Sequence, residues 1–324
     1  MDAKINKNEL DILDSETNTD PETNTDSKDI ENNLDNENDL DESILYVYYK
    51  YNFSFFIFSL IILGILFICL LVFTINSKFD NMFILNQFCR YLVICITQYL
   101  SALLVIYKNV KVNYTRKIIH ISYFIWPQIF DLLFGYEKSV YTELWNVWII
   151  LILLLMMHKI IRDRVSIINT MFKAVDRPED RPHTLFWFSS QIIVGLMVII
   201  PFSIYFNYID KIGLIFIPIL INGLADGLAE PVGIRFGKHK YQTKALLSSK
   251  KYTRSYEGSF CVFIVSTIII ACYYKYINLD QYLFSLFVIP IMSTLAEAFA
   301  PHTWDSPFIY LVVSLLLVLV TQLL

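Results

Sequence analysis

The sequence predicts an all-α, polytopic integral membrane protein with about nine transmembrane helices and a disordered acidic N-terminal tail. The first observation behind this prediction is that 56% of the 324 residues are hydrophobic, with a mean hydropathy of +0.50. The second is that only 17% of the residues are charged, against about 25% in an average soluble domain. The third is that the chain has 25 Phe and 21 Tyr but 9 Gly, which argues against a soluble α/β enzyme with glycine-rich nucleotide loops.

The acidic residues are concentrated at the N-terminus. Residues 1–43 hold 15 of the 30 acidic side chains and three lysines, whereas the rest of the chain holds 15 acidic and 23 basic residues. A segment this polar cannot bury enough apolar surface to offset the entropy lost on ordering. Residues 1–43 are therefore predicted to be a disordered tail, and residues 44–324 a multi-span membrane domain. A low-complexity extension that the function does not need is the simplest interpretation of the tail.

The apolar segments are spaced along the whole membrane domain. A transmembrane helix needs about 20 mostly apolar residues. Nine segments are candidates: Phe53–Ile75, Met82–Tyr107, Ile118–Gly135, Thr142–His158, Leu185–Phe206, Ile212–Glu230, Ser259–Tyr274, Gln281–Ala300 and Pro307–Leu324. The loops after the second, fourth and sixth segments contain 17 basic residues, and the loops on the opposite side contain four. The positive-inside rule therefore places these three loops and the N-terminus on the cytosolic or equivalent side.

The cytosolic end of the sixth segment carries an unusual set of polar and small residues. Helical spacing predicts that Asn222, Asp226 and Glu230 share one face. Gly223 and Gly227 lie beside them and would allow a neighbouring helix to approach closely. Acidic residues in a membrane helix are costly and usually mark a functional site. The alternative is ordinary helix packing, with the acidic side chains reaching the membrane interface.

A basic loop follows this acidic segment. Pro231 is predicted to stop or kink the helix, and Gly233 and Gly237 free the backbone beyond it. Residues 238–251 are then rich in lysine and lead into residues 252–259. Carboxylates bind Mg²⁺, and Arg and Lys neutralise phosphate oxygens, so the combination predicts a metal–polyphosphate site. The alternative is a cytosolic loop attracted to anionic lipid headgroups.

This region contains the two motifs Asp226-x-x-Ala229-x-x-x-Gly233-x-x-x-Gly237 and Thr253-Arg254-Ser255-x-Glu257-Gly258. Together they resemble the CTP-binding signature of the dolichol, phytol and polyprenol kinases, which are integral membrane enzymes. The resemblance extends to Arg116-Lys117-Ile-Ile-His120 and to Thr294-Leu-Ala-Glu297 with Asp305-Ser-Pro307. The spacer before Thr253 is longer than in dolichol kinases, Thr253-Arg254-Ser255 replaces Lys-Lys-Thr, and Ser306 stands where Asn is common.

The resemblance implies an enzyme that phosphorylates an isoprenoid alcohol with a nucleoside triphosphate, often CTP. Asp226 and Glu230 are expected to bind Mg²⁺ or to activate the alcohol, and Glu297, together with Asp305, to complete the metal shell. His120 is expected to meet a phosphate or the substrate hydroxyl, with a satisfied interfacial histidine as the alternative. The residues expected at the nucleotide are Gly233, Arg235, Gly237, Lys238, Arg254, Glu257 and Gly258.

The expected partners are the lipid bilayer, an isoprenoid alcohol and the nucleotide, and no nucleic acid. The expected location is the endoplasmic reticulum, another endomembrane or a plastid-type membrane, with the active site on the cytosolic or equivalent side. Two other functions stay open. A phosphatidate cytidylyltransferase would use similar charges but transfer CMP, although its Lys-Asp…His-Gly-Gly…Asp-Arg-x-Asp signature is absent from the sequence. A membrane transporter would show internal repeats and polar residues near the bilayer midplane.

Overall fold

Helices form most of the chain in the computed structural model, which describes residues 53–54, 56–68, 70–72, 81–136, 140–181, 183–245, 248–301 and 304–323. The predicted acidic tail, residues 1–43, and its boundary with the membrane domain lie outside the described residues. Residues Ser59–Leu324 form one compact unit, which contains every element from the second helix onward.

The first half of the described chain is entirely helical. Its four long helices are α1 (Phe56–Val72), α2 (Asn81–Lys108), α3 (Val112–Phe134) and α4 (Val140–Met156). Two short helices follow, α5 (Lys159–Arg162) and α6 (Ser166–Phe172), and a 3₁₀ turn at Pro178–Asp180 precedes the long helix α7 (Thr184–Tyr208).

The second half contains one discontinuous helix, one hairpin and three further helices. The discontinuous helix consists of a 3₁₀ turn (Ile212–Ile215), α8 (Phe216–Leu220), a π-helical turn (Ile221–Asp226) and α9 (Gly227–Phe236). The antiparallel strands β1 (Lys240–Ala245) and β2 (Ser248–Ser255) come next. The chain then forms α10 (Tyr256–Cys272), α11 (Leu279–Phe299) and α12 (Asp305–Leu323).

Five helical segments of the described chain are long and apolar enough to cross a membrane: Asn81–Lys108, Thr184–Tyr208, Ile212–Phe236, Leu279–Phe299 and Asp305–Leu323. The other four predicted spans fall on helices that are shorter or more polar. Three of these are apolar but at most 17 residues long, and α3 is long enough but carries Arg116, Lys117 and Asp131. The chain is therefore a helical protein with membrane-length apolar helices.

The prediction of an all-α fold is confirmed for most of the described chain, and the exception is the basic loop. Residues 240–245 and 248–255 form two antiparallel strands of a hairpin, in which Tyr241 pairs with Arg254 and Thr243 pairs with Tyr252. Aromatic and β-branched residues at alternate positions favour an extended backbone, even with lysines between them. The hairpin leads directly into α10, because the Ser255 side chain accepts a hydrogen bond from the Gly258 amide and caps the helix.

The segment that carries the predicted site is distorted rather than regularly helical. Residues 221–226 form a π-helical turn, and α-helical geometry resumes at Gly227. Pro231 lies inside α9, so the helix does not stop at this proline and ends instead at Gly237. The π turn widens the hydrogen-bonding pattern to i→i+5 and changes the direction of the side chains that follow. The predicted single stripe of Asn222, Asp226 and Glu230 is broken for this reason.

Helix α3 packs closely against the distorted segment. A Cβ on Gly227 would lie 2.6 Å from Ile121 Cγ1, and a Cβ on Gly223 would overlap the Cβ of Phe124. The prediction that these two glycines allow the close approach of a neighbouring helix is confirmed. On its other side, the distorted segment lies in the main apolar core, which it shares with α7, α10, α11 and α12.

A polar contact with α2 holds the C-terminal end of α3. Arg90 of α2 forms an ion pair with Asp131 of α3, and Asn86 Nδ2 donates to Asp131 Oδ1 at 3.0 Å. Arg90 also donates to Asn146 Oδ1 of α4 at 3.3 Å. Hydrogen bonds between membrane helices of this kind help to fix their packing. Helix α3 is therefore held to α2 near its C-terminal end.

Candidate functional site

A buried ion pair between α3 and the π turn lies at the centre of the candidate site. Lys117 Nζ lies 3.0 Å from each carboxylate oxygen of Asp226, and it also donates to the Asp226 carbonyl at 2.9 Å. Both side chains are nearly inaccessible to solvent, with 5% of Lys117 and 2% of Asp226 exposed. Removing two charges from water is costly unless they are paired and hydrogen-bonded, as these are. The pair therefore fixes the register between α3 and the π turn.

Glu230 lies one turn further along and receives donors from two directions. Arg116 Nη2 of α3 lies 2.5 Å from Glu230 Oε2. On the other oxygen, Asn113 Nδ2 donates to Oε1 at 2.8 Å, and Arg177 Nη1 lies 3.4 Å from the same atom. Arg116 still has a buried Nε–H that finds no acceptor among the described residues. Asn222 Oδ1 is likewise buried without a partner in the described chain. Unpaired buried polar atoms are rare in native structures, so the Nε–H is a candidate donor to a bound group.

His120 belongs to the same cluster. Its Nε2 atom lies 3.0 Å from the carbonyl oxygen of Asn222 and 3.4 Å from Asp226 Oδ2. The Asn222 side chain turns away and donates to the Tyr310 hydroxyl of α12 at 3.1 Å. The structure therefore brings Asp226, Glu230 and His120 together, as predicted, but excludes the Asn222 amide from the shared face.

A second charged cluster connects the hairpin to α11 and α12. Arg254 of β2 forms ion pairs with Glu297 and Asp305, and it donates to the Glu297 carbonyl at 2.5 Å. The remaining Glu297 oxygen accepts from Ser259 Oγ at 3.0 Å. Tyr241 Oη of β1 lies 2.7 Å from Ser259 Oγ. The hairpin is therefore anchored to the helical core by its two strands.

The electrostatic environment keeps the hairpin groups of this cluster protonated. Burial alone would lower the pKa of the Arg254 guanidinium, but the Asp305 and Glu297 carboxylates outweigh that effect and raise the pKa above its usual value. Burial raises the pKa of the Tyr241 hydroxyl to about 12, and the Glu297 charge acts in the same direction. Arg254 is therefore a permanent cation and Tyr241 a neutral hydrogen-bonding group at physiological pH.

The glycines predicted at the nucleotide lie against protein atoms. A Cβ on Gly233 would lie 2.6 Å from Ser255 Oγ, and a Cβ on Gly258 would lie 2.7 Å from the carbonyl oxygen of Ala229. Gly237 also faces the Ser255 side chain. All three allow α9 and the start of α10 to pack closely. In this arrangement the space beside them is filled by the Ser255 segment.

Of the other residues predicted at the nucleotide, Arg254 belongs to the buried cluster described above, whereas Arg235, Lys238 and Glu257 lie at or near the surface. Glu257 accepts hydrogen bonds from the backbone amides of Lys238 and His239, at 3.0 Å and 3.2 Å, and it lies 2.9 Å from His239 Nδ1. The side chains of Arg235 and Lys238 are exposed. Glu257 therefore orders the turn between α9 and β1. No contact of Arg235, Lys238 or Glu257 with Asp226 or Glu230 is found in the described chain.

The three carboxylates predicted to bind a metal do not form a metal site as they are arranged. Asp226, Glu230 and Glu297 each use both carboxylate oxygens in contacts with cationic or hydroxyl groups. Among the residues that the structure describes, no group of three or more His, Cys, Asp or Glu side chains is placed to hold a metal ion. The donor set does not fit a metal bound by the protein alone.

Sequence reasoning missed Asn113 and Arg177, which contact Glu230, and Asp180, which pairs with Arg177. Arg177 and Asp180 lie in the connection between α6 and α7, where Arg177 bonds to Asp180 through Nε at 2.7 Å. The only available indication was the charge density of residues 176–181, Asp-Arg-Pro-Glu-Asp-Arg. That pattern is typical of a solvated loop, so it could not have indicated a buried arginine.

The chain matches no protein family, no curated protein and no solved structure. Its function is therefore inferred from its residues and their geometry.

Proposed function

We propose that the chain is a membrane lipid kinase that transfers the γ-phosphoryl group of a nucleoside triphosphate to an isoprenoid alcohol. The observation that carries the proposal is the buried cluster at the start of α3, in which Arg116, Lys117 and Arg177 converge on Asp226 and Glu230. Phosphoryl transfer depends mainly on positioning and on neutralising phosphate charge, and this cluster supplies both cations and carboxylates. Phytol, farnesol, geranylgeraniol, polyprenol and dolichol are the candidate substrates.

The cations of the cluster would bind the phosphates. A guanidinium has five N–H donors, and the Arg116 Nε–H is buried without an acceptor in the described chain. A phosphate oxygen at this position would complete the hydrogen bonding of Arg116. CTP is the proposed nucleotide, with other nucleoside triphosphates as alternatives. Because the protein carboxylates do not fit a metal on their own, Mg²⁺ would arrive bound to the nucleotide phosphates.

The carboxylates and the histidine would act on the alcohol. Asp226 Oδ2 and His120 Nε2 lie 3.4 Å apart, so a hydroxyl between α3 and the π turn could donate its proton to either group. The alcohol oxygen would then form a bond to the γ-phosphorus while the bond to the β-phosphate oxygen breaks. The nucleoside diphosphate leaves, and the proton passes to the protein group that oriented the hydroxyl.

The proposal also includes a topology. We propose nine spans: the five membrane-length helices, and four shorter or more polar helices that would cross the membrane through their packing with neighbours. The basic loops and the phosphate cluster would then lie on the cytosolic or equivalent side. The membrane would be that of the endoplasmic reticulum, another endomembrane or a plastid.

The deciding experiment follows the transferred phosphorus. Purified full-length protein in vesicles is given a prenyl alcohol and CTP labelled at either the α- or the γ-phosphate. A kinase moves the γ label into the lipid and leaves the α label in CDP. Asp226→Asn should abolish the transfer, and Lys275→Gln, far along the chain from the cluster, should leave it unchanged.

Two outcomes would contradict the kinase proposal. Transfer of the α label alone, from CTP to a phospholipid acceptor, would identify a cytidylyltransferase. No transfer of either label, with ATP and alcohols of several lengths also tested, would favour a transporter.

A further inference from the structure

Arg177 is a buried arginine in a connecting segment, and neither the predicted motifs nor the resemblance includes it. It immediately precedes the 3₁₀ turn Pro178–Asp180 between α6 and α7, and 2% of its side chain is exposed. Burying a guanidinium is unfavourable unless its donors are paired. Arg177 therefore needs partners whose interactions offset the desolvation of its guanidinium group.

The first partner holds the connecting segment together. Arg177 lies 2.7 Å from Asp180 Oδ2 through Nε and 2.6 Å from the same oxygen through Nη2. The Asp180 amide donates to the Arg177 carbonyl at 3.1 Å, which closes the turn. Glu179 approaches only to 4.0 Å. Asp180 is thus the nearest carboxylate to the Arg177 guanidinium in the described chain, and the contact between them lies within the turn itself.

The second partner is Glu230 of the candidate site. Arg177 Nη1 reaches Glu230 Oε1 at 3.4 Å, and Arg116 lies on the other oxygen at 2.5 Å. Asn113 donates to Glu230 at 2.8 Å and to Glu179 at 3.1 Å, so it connects α3 to the same turn. Glu230 is therefore held between two guanidinium groups that come from different elements.

We propose that Arg177 is a positioning residue for Glu230 in the proposed phosphoryl transfer. Together with Asn113, Arg177 holds Oε1, which limits Arg116 to a contact with Oε2 and keeps the remaining Arg116 donors available for a phosphate. Without Arg177, only the neutral Asn113 amide would hold Oε1, and Glu230 would rotate more readily into a bidentate pair with Arg116. Arg116 would then lose donors to the carboxylate, and nucleotide binding would weaken.

This inference rests on the proposed function, and the test separates the two. Wild-type protein is first assayed for transfer of the γ label, together with KM for the nucleotide, kcat and the thermal unfolding midpoint. The same quantities are measured for Arg177→Lys, Arg177→Gln, Asp180→Asn and Arg181→Gln. Arg181 is the matched control, because it lies in the same connection and pairs with Asp176 at 2.9 Å but is largely exposed.

We expect a loss of activity that is larger in Arg177→Gln than in Arg177→Lys and that does not correlate with the thermal unfolding midpoint. Arg177→Gln should lower kcat/KM by about 10- to 100-fold, mainly through a higher KM for the nucleotide. Arg177→Lys should recover part of this loss, because it keeps the charge near Glu230. Asp180→Asn should lower the unfolding midpoint while retaining more activity than Arg177→Gln, and Arg181→Gln should behave like the wild type.

Three results would overturn the positioning role. Equal losses of activity in Asp180→Asn and Arg177→Gln would show that Arg177 acts only by stabilising the turn. An unchanged nucleotide KM in both Arg177 variants would also contradict the positioning role. So would a loss of kcat/KM in Arg181→Gln equal to the loss in Arg177→Gln. If Arg177→Gln fails to fold, the comparison of Arg177→Lys with Asp180→Asn still decides. An inactive wild type would instead refute the proposed function.

Discussion

At the scale of single residues, the Lys117–Asp226 pair couples stability to the candidate site. Asp226→Asn leaves the Lys117 ammonium buried without a countercharge, so we expect it to lower the free energy of unfolding by about 3–5 kcal/mol. The double variant Lys117→Met with Asp226→Leu removes both charges and should recover most of this loss. Thermal and denaturant unfolding of the purified protein in detergent would measure both changes.

An exposed pair provides the control for this prediction. Arg181→Gln removes the Arg181–Asp176 contact at the surface, and we expect a change below about 1 kcal/mol. If Asp226→Asn and the double variant had the same free energy of unfolding, the unpaired Lys117 charge would not destabilise the fold. That result would contradict a role of the pair in holding α3 in register.

The chemistry-bearing residues of the cluster could be predicted because each belongs to a short local pattern. Asp226 and Glu230 repeat at helical spacing, and Arg116 and His120 repeat at the same spacing on another helix. Their meeting could be expected because the positive-inside rule predicts that both segments lie on the same side of the membrane. Arg177 could not be predicted, because its burial depends on how a connecting segment folds back onto α3, and no local pattern encodes that.

At the scale of elements, the contact between α3 and the π turn depends on Gly223. A Cβ at this position would overlap the Cβ of Phe124, which cannot move without its backbone. We expect Gly223→Ala to lower the free energy of unfolding by about 1–3 kcal/mol and to reduce activity by moving His120 away from the π turn. Unfolding of the variant and its kinase assay would measure these effects.

Gly213 is the matched control for Gly223. No atom lies within 4 Å of a Cβ placed on it, and it lies in the 3₁₀ turn that begins the same discontinuous helix. Gly213→Ala should leave both stability and activity near those of the wild type. A neutral Gly223→Ala would mean that α3 is more loosely packed than the structure indicates.

The hairpin gives a second prediction at this scale. Arg254 connects β2 to both α11 and α12, so Arg254→Gln should release the hairpin from the helical core. We expect faster amide hydrogen exchange in residues 248–255, while exchange in α7 stays unchanged. Lys251→Gln, at an exposed position of the same strand, is the control. Equal exchange in the two variants would show that Arg254 does not anchor the hairpin.

The hairpin also shows where the sequence was misleading. Its lysines resemble a solvated cytosolic loop, and composition alone favoured that interpretation. The pairing of Tyr241 with Arg254 and of Thr243 with Tyr252 was visible only as a weak period-2 pattern. The π turn left no sequence pattern at all, since a strip of apolar and small residues is compatible with regular α-helical geometry.

At the scale of the whole molecule, the proposed nine spans place the two termini on opposite sides of the membrane. We expect a reporter fused to Met1 to be cytosolic and a reporter fused to Leu324 to face the other compartment, because the number of crossings is odd. Glycosylation or protease protection of the two fusions in intact membrane vesicles would measure this. Both reporters on the same side would require an even number of spans.

The membrane character of the whole chain was easier to predict than the number of crossings. Hydropathy identifies α2, α7, α11 and α12 directly, because each is both long and apolar. Helix α3 carries charged residues near both ends, and α4 and α10 are short. Whether such helices cross depends on their neighbours in the membrane, which a hydropathy profile does not contain.

The π turn at Ile221–Asp226 has a consequence for the effect of single-codon deletions in this gene. A π turn is equivalent to one extra residue inserted into an α-helix, because its hydrogen bonds span five residues instead of four. Loss of a single codon between Ile221 and Asp226 would leave an uninterrupted apolar helix that inserts and packs. The deletion would remove the wide turn that brings the Asn222 carbonyl to His120, while the segments on either side would keep their packing. A single-codon deletion that hardly changes the hydropathy of the segment would thus break the contact between Asn222 and His120.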